Sequence, residues 1–283
     1  MSITSHVTPA GTATAAEIPP STGSRPMSAD ARVVTLPRVV HSEWIKLRSL
    51  HSTWSILAAA VAGMLIFGAV VAINTRTGGA LEAEDAALSG TLQGYLLAEL
   101  LIGVLGVLFV SAEYGTGMIR STLAVVPRRW PVPLAKAVVL AGLVLATMTT
   151  ASLATFLGAQ VVLGADGHSL TDPGAVRVVF GTAVYLTLIG LLGSAMGWLL
   201  RNTAAGIAVL TGLLLVAPVL TQTLLGAFGR TIAPYLPSLA GQSLAVSDSG
   251  ADALSPTVGS AVLVGWIGIA LVAAIIRLTR RDA

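Results

Sequence analysis

Glu99 is the only carboxylate set well inside an apolar stretch of this 283-residue chain. The stretch runs from Leu92 to Ala112. An ionised group near the middle of a bilayer costs about 2.5–3.5 kcal/mol, so such a residue faces protein or water, carries a proton, or has a polar partner. Two readings of Glu99 stay open at this point. It lines a path where it meets cargo or takes up a proton, or it is a neutral acid bonded to a neighbouring helix. Other chemistry is sparse. His6, His41, His51 and His168 are scattered, there is no H-E-x-x-H pair, and cysteine is absent. Neither a metal site nor a Ser-His-acid set can be assembled from this spacing. No G-x-x-x-x-G-K-[ST] loop is present to cradle nucleotide phosphates. The expectation is a chain that is not an enzyme and holds no metal or cofactor of its own.

The elements that position these residues are six apolar runs: Trp54–Ile73, Leu92–Ala112, Leu134–Leu163, Val178–Leu200, Ala204–Phe228 and Val258–Ile276. A helix rises about 1.5 Å per residue, so roughly 20 residues cross a ~30 Å hydrocarbon layer. Lipid supplies no hydrogen-bond partners, and a helix satisfies its own backbone. Apolar residues make up 54% of the chain and charged ones only 10%, against about 25% in a soluble domain. The fold class is therefore an all-α polytopic membrane protein with six transmembrane helices.

Charge placement orients it. Thirteen of the 16 Lys and Arg residues fall in the N-terminal segment, the loop after run two together with Lys136 at the edge of run three, the turn after run four and the C-terminus. The intervening loops carry only Arg76, Arg177 and Arg230, together with seven acids. Short cytoplasmic loops retain Lys and Arg, so both termini are expected in the cytoplasm. The same pattern explains the net charge of +3 without nucleic acid. Residues 1–37 are rich in Ser, Thr, Ala and Pro and read as a disordered cytoplasmic tail; residues 38–283 form the membrane domain.

Two basic-side segments stand out. In residues 38–52, Val40, Trp44 and Leu47 share a helical face, with Ser42, Glu43, Lys46 and Ser49 largely off it. This division suits a helix lying in the membrane surface, although a plain basic flank of the first span would also carry these charges. In Glu113–Arg129, Glu113, Gly117 and Arg120 share a face. Gly115 and Gly117 weaken a helix there, favouring a bend. Composition alone leaves this segment open between a docking surface for a soluble partner and a loop that fixes topology. Pro218 should kink the fifth run. Residues 229–257, with Pro234, Pro237 and Pro256, are too apolar for a solvated loop and suit a broken, partly inserted helical element. Gly193 and Gly197 form a G-x-x-x-G step that favours packing within the bundle over a dimer contact.

These segments carry a resemblance. SEWIKLRSLHSTW (Ser42–Trp54) resembles the opening of ATP-binding-cassette type-2 (ABC-2) permeases. EYGTGMIRSTLAVVPRRWPVPLAK (Glu113–Lys136) resembles that family's element after its second span, and LPSLAGQSL (Leu236–Leu244) is similar to its outer segment before the last span. The resemblance covers residues 38–283. It implies the permease subunit of an exporter in the plasma membrane, working by alternating access. Its partners would be a separate ATP-binding subunit, which would bind the ATP, a second permease copy or a similar permease, and membrane lipids. It also implies an interfacial helix at the N-terminus, a cytoplasmic coupling helix after span two, and a re-entrant outer element between spans five and six. Residues placed by it at the ATPase contact are Glu43, Lys46, Arg48, Glu113, Gly115, Thr116, Gly117 and Arg120. The uncharged runs fit an amphipathic or lipid-like cargo. Competing readings are a proton-coupled carrier using Glu99, and a regulatory or immunity protein that transports nothing.

Overall fold

A computed structural model describes residues 35–77, 90–115, 131–164, 167–224, 226–247 and 253–281. Among them there is no strand, and six helical stretches are long and apolar enough to cross a membrane. Helix α1 (Leu36–Ser49) precedes the first span, α2 (His51–Arg76). The next three spans are α3 (Tyr95–Gly115), α4 (Pro131–Leu163) and α5 (Ala175–Leu200). The fifth is α6 (Thr203–Thr211), a π-turn (Gly212–Val216) and α7 (Ala217–Leu224) in series. Then come α8 (Gly226–Ile232), a 3-10 turn (Ala233–Tyr235), α9 (Pro237–Gln242) and the last span, α10 (Pro256–Arg281). The chain is an all-α, multi-pass membrane protein.

Helices α3 and α5 form the axis of the bundle. They bury 61% and 67% of their apolar windows, whereas the other four spans bury 22% to 33%. Outward residues such as Ile66, Val161, Val219 and Ile269 remain exposed and apolar, as a lipid-facing surface requires. The axis is tight because glycines meet backbone. A Cβ on Gly106 would stand 2.1 Å from the Gly190 carbonyl oxygen, and one on Gly193 would stand 2.1 Å from that of Gly103. Gly197 faces Val107 and Val110 of α3. The G-x-x-x-G step thus packs within the chain.

The turn between spans four and five is as short as the sequence indicates. Arg201 closes α5 in the left-handed region at φ 54°, and the Asn202 side chain accepts from the Ala205 N–H at 3.0 Å to cap α6. The expected disturbance at Pro218 takes the form of the π-turn just before it. Its wider ring, closed by Ala217 N–H to Gly212 C=O, lies where the proline removes a donor and crowds the preceding carbonyl.

Helix α1 departs from the expected face. Val39, Glu43 and Leu47 are its buried residues, Val40 is half-buried, and Trp44 and Ile45 are exposed. The buried stripe is rotated about one residue from Val40–Trp44–Leu47 because Glu43, counted as polar, turns inward to meet a cation. The proline-rich segment 226–247 is broken helix folded back on α5 and α10. Gly241 contacts Tyr185, and the Trp266 indole N–H donates to the Tyr235 carbonyl at 2.9 Å.

Candidate functional site

Four charged side chains from three helices meet at the end of the bundle where the basic residues gather. Helix α1 supplies Glu43 and Lys46, the last turn of α3 supplies Glu113, and the second turn of α4 supplies Lys136. Lys136 Nζ donates to Glu43 Oε2 at 2.6 Å and to Glu113 Oε1 at 2.9 Å. Lys46 Nζ donates to Glu43 Oε1 at 2.7 Å and to Glu113 Oε1 at 3.1 Å. Each ammonium therefore bridges both carboxylates, and the four formal charges cancel.

The surroundings make this pairing obligatory. Lys136 and Glu43 are each only 1% exposed. Lys136 also stands 4.3 Å above the centroid of the Phe109 ring, where the ring's negative face attracts it. Val39, Val110, Val132, Ala135 and Trp198 form an apolar cluster at the same end of the bundle. A charge buried in such a place is tolerable only when paired and hydrogen-bonded. Lys46 closes the knot on its outer side with its side chain 31% exposed. Burial acts to lower its pKa, but the hydrogen bonds and charges of Glu43 and Glu113 outweigh it and hold the pKa above the ordinary lysine value. Lys46 stays charged at neutral pH.

The structure brings three of the expected coupling residues together: Glu43, Lys46 and Glu113. Arg48 is apart from them, exposed on α1, with its carbonyl accepting from the Trp54 indole N–H at 3.0 Å. Gly115 is the last described residue of α3, and a Cβ there would meet nothing within 4 Å. Thr116, Gly117 and Arg120 lie outside the described residues. Lys136 is the member that residue patterns did not single out. Its signal was a lone lysine at the start of a long apolar run.

Glu99 sits far along α3 from this knot. It is 1% exposed and accepts a hydrogen bond from the Tyr185 hydroxyl of α5. The Tyr95 ring meets the Tyr185 ring edge-on, with centroids 5.8 Å apart. Among the described residues, no group of three or more His, Asp or Glu side chains could hold a metal ion.

A bundle of six apolar helices with helix α1 pinned by charge to two of its spans defines a multi-pass membrane protein built around a polar anchor. Residues 39–217, well over half of the chain, match the family model described as ABC-2 family transporter protein, and the chain belongs to that family. It is a membrane permease of the ABC-2 type, a family whose members generally work with an ATP-binding subunit. No curated protein matches the chain.

Proposed function

We propose that this permease is the membrane half of an exporter driven by a separate ATP-binding subunit, and that the charge knot carries the motor's motion into the spans. The observation behind this reading is where the knot sits. The described part of α3 reaches Gly115 and that of α4 starts at Pro131, so Glu113 and Lys136 flank the segment between them. The knot ties both flanks to each other and to α1. A pull on that segment, or on α1, would move three helices as one unit. Glu43, Lys46 and Glu113 then act as positioning residues. Arg48, Gly115, Thr116, Gly117 and Arg120 would meet the motor subunit directly.

In this reading both termini face the cytoplasm of a plasma-membrane protein, in keeping with the Lys and Arg distribution. A second copy, or a similar permease, completes the path. ATP binding closes the motor subunits and shifts the permease between two packings of similar energy. An amphipathic or lipid-like cargo suits spans that carry almost no charge. A proton-coupled carrier would instead keep working when ATP is depleted at a maintained proton gradient.

The test uses the full chain expressed with its ATP-binding subunit. Gly117→Pro combined with Arg120→Glu is expected to cut co-purification of that subunit about tenfold, which corresponds to about 1.4 kcal/mol of interface free energy. Should the contact survive, ATP hydrolysis should no longer depend on the permease. A double variant that keeps both its partner and its coupled hydrolysis would refute the docking assignment.

A further inference from the structure

Arg201 carries a hydrogen-bonding edge that meets no acceptor among the described residues. Its Nε and Nη2 donors are both shielded from solvent and have no hydrogen-bond partner. They are the N–H groups on one side of the planar guanidinium, the side that takes a carboxylate or a phosphate with two parallel bonds. The guanidinium carbon stands 5.7 Å from the centroid of the Tyr114 ring of α3, and Tyr114 meets Trp198 edge-on with centroids 6.0 Å apart. The left-handed backbone of Arg201 closes α5 and fixes where the side chain starts. The residue is only half-buried, so the long side chain stays within reach of the surface.

A second cation stands at the same helix end. Arg277 of α10 donates through Nη1 to the Leu199 carbonyl of α5. Trp198 and Leu199 of α5, Leu271 and Ala274 of α10 and Tyr114 of α3 pack in one apolar cluster beneath the two arginines. No carboxylate answers this pair. The acids at this end of the bundle among the described residues are Glu43 and Glu113, and both are committed to Lys46 and Lys136. Residues 116–130 contain no Asp or Glu and add Arg120, Arg128 and Arg129. Donors left unmet in a shielded site are costly, so the guanidinium gains by turning its edge to an oxyanion at the surface. Only Arg201 and Asn202 separate the fourth span from the fifth, which keeps Arg201 at the boundary where phospholipid headgroups lie.

We infer that Arg201 and Arg277 hold the phosphate of an anionic glycerophospholipid of the cytoplasmic leaflet, Arg201 by its two-donor edge and Arg277 by its charge. The choice of leaflet rests on the orientation adopted above, and the binding itself does not. A headgroup seated there ties the axis helix α5 to the last span, a lipid requirement separate from the coupling of the motor subunit.

The full-length permease in detergent micelles is titrated with dioleoyl phosphatidylglycerol or dioleoyl phosphatidylcholine, and bound lipid is counted by native mass spectrometry. The parent should bind phosphatidylglycerol in preference to phosphatidylcholine. Arg201→Gln should weaken the tightest phosphatidylglycerol site about tenfold, and Arg277→Gln should weaken it several-fold. Arg201→Lys keeps the positive charge without the two-donor edge, so it should fall within about threefold of Arg201→Gln. It also serves if Arg201→Gln fails to accumulate. Arg38→Gln removes an exposed cation of α1 and should leave the affinity at the parent value. Equal binding of the two lipids by the parent, or equal phosphatidylglycerol affinity in the parent and in Arg201→Gln, overturns the site. Full recovery with Arg201→Lys overturns the two-donor contact. Displacement of the lipid by an equal concentration of inorganic phosphate would assign the site to free phosphate and overturn the lipid. So would an Arg201→Gln protein that keeps its phosphatidylglycerol but loses its ATP-binding subunit, since the edge would then belong to an acid of that partner. Micelles have no sidedness, so failure here strikes the site and leaves the orientation and the coupling reading standing.

Discussion

Lys136→Met should be among the most damaging single changes in the chain, lowering stability by about 3–5 kcal/mol. Methionine fills much of the same space, so the loss would come from charge. Without Lys136, Glu43 keeps one of its two cations, the partly exposed Lys46, while its Oε2 loses its partner in a buried site. Thermal unfolding of the purified permease measures this directly. Adding Glu43→Gln to Lys136→Met leaves Glu113 opposite Lys46, one anion with one cation, and should recover a substantial part of the loss. That recovery is the signature of coupling in a double-mutant cycle. Arg48→Met, which removes an exposed cation from the same helix α1, should stay within about 0.5 kcal/mol of the parent. A Lys136→Met protein as stable as the Arg48→Met protein would show that the knot pins nothing.

Gly106→Leu should prevent the axis from closing. Even a Cβ there would stand 2.1 Å from the Gly190 carbonyl oxygen and 2.9 Å from the Ser194 nitrogen. Both are backbone atoms, so no rotamer change relieves the clash and α3 must move away from α5. Gly106→Ala should cost about 1–3 kcal/mol as an overpacked contact. Gly106→Leu should leave little folded protein in the membrane, seen as loss of the monodisperse peak on size exclusion. Gly142→Ala is the control. Nothing lies within 4 Å of its Cβ position, and alanine is the better helix former. If Gly106→Leu accumulates as well as Gly142→Ala, the close approach of the two helices is not required.

Much of this architecture is legible in the sequence because the bilayer permits so few solutions. Six runs of sufficient length become six helices, and Arg201–Thr203 can only be a tight turn. The prolines at 218, 234 and 237 mark where helix is interrupted or restarted. The site is less legible, for a physical reason. Glu43 and Lys136 are 93 residues apart, and hydropathy periodicity reports only which side of a helix is apolar. A carboxylate facing inward toward a distant ammonium looks, within its own helix, like a carboxylate facing water. The family pattern flagged Glu43, Lys46 and Glu113 without showing that they touch. The glycine pairs of α3 and α5 are hidden in a similar way, since their register is set by the packed bundle.

Cancellation of charge in the knot has an electrical consequence. Carrying one elementary charge through a membrane potential takes about 2.3 kcal/mol per 100 mV. Two ammonium groups travelling with two carboxylates carry no net charge, so in a stroke that shifts α1, α3 and α4 together the knot itself does no net work against the voltage. The knot thus adds no voltage dependence to such a stroke, whereas pulling Lys136 away from its carboxylates would add some.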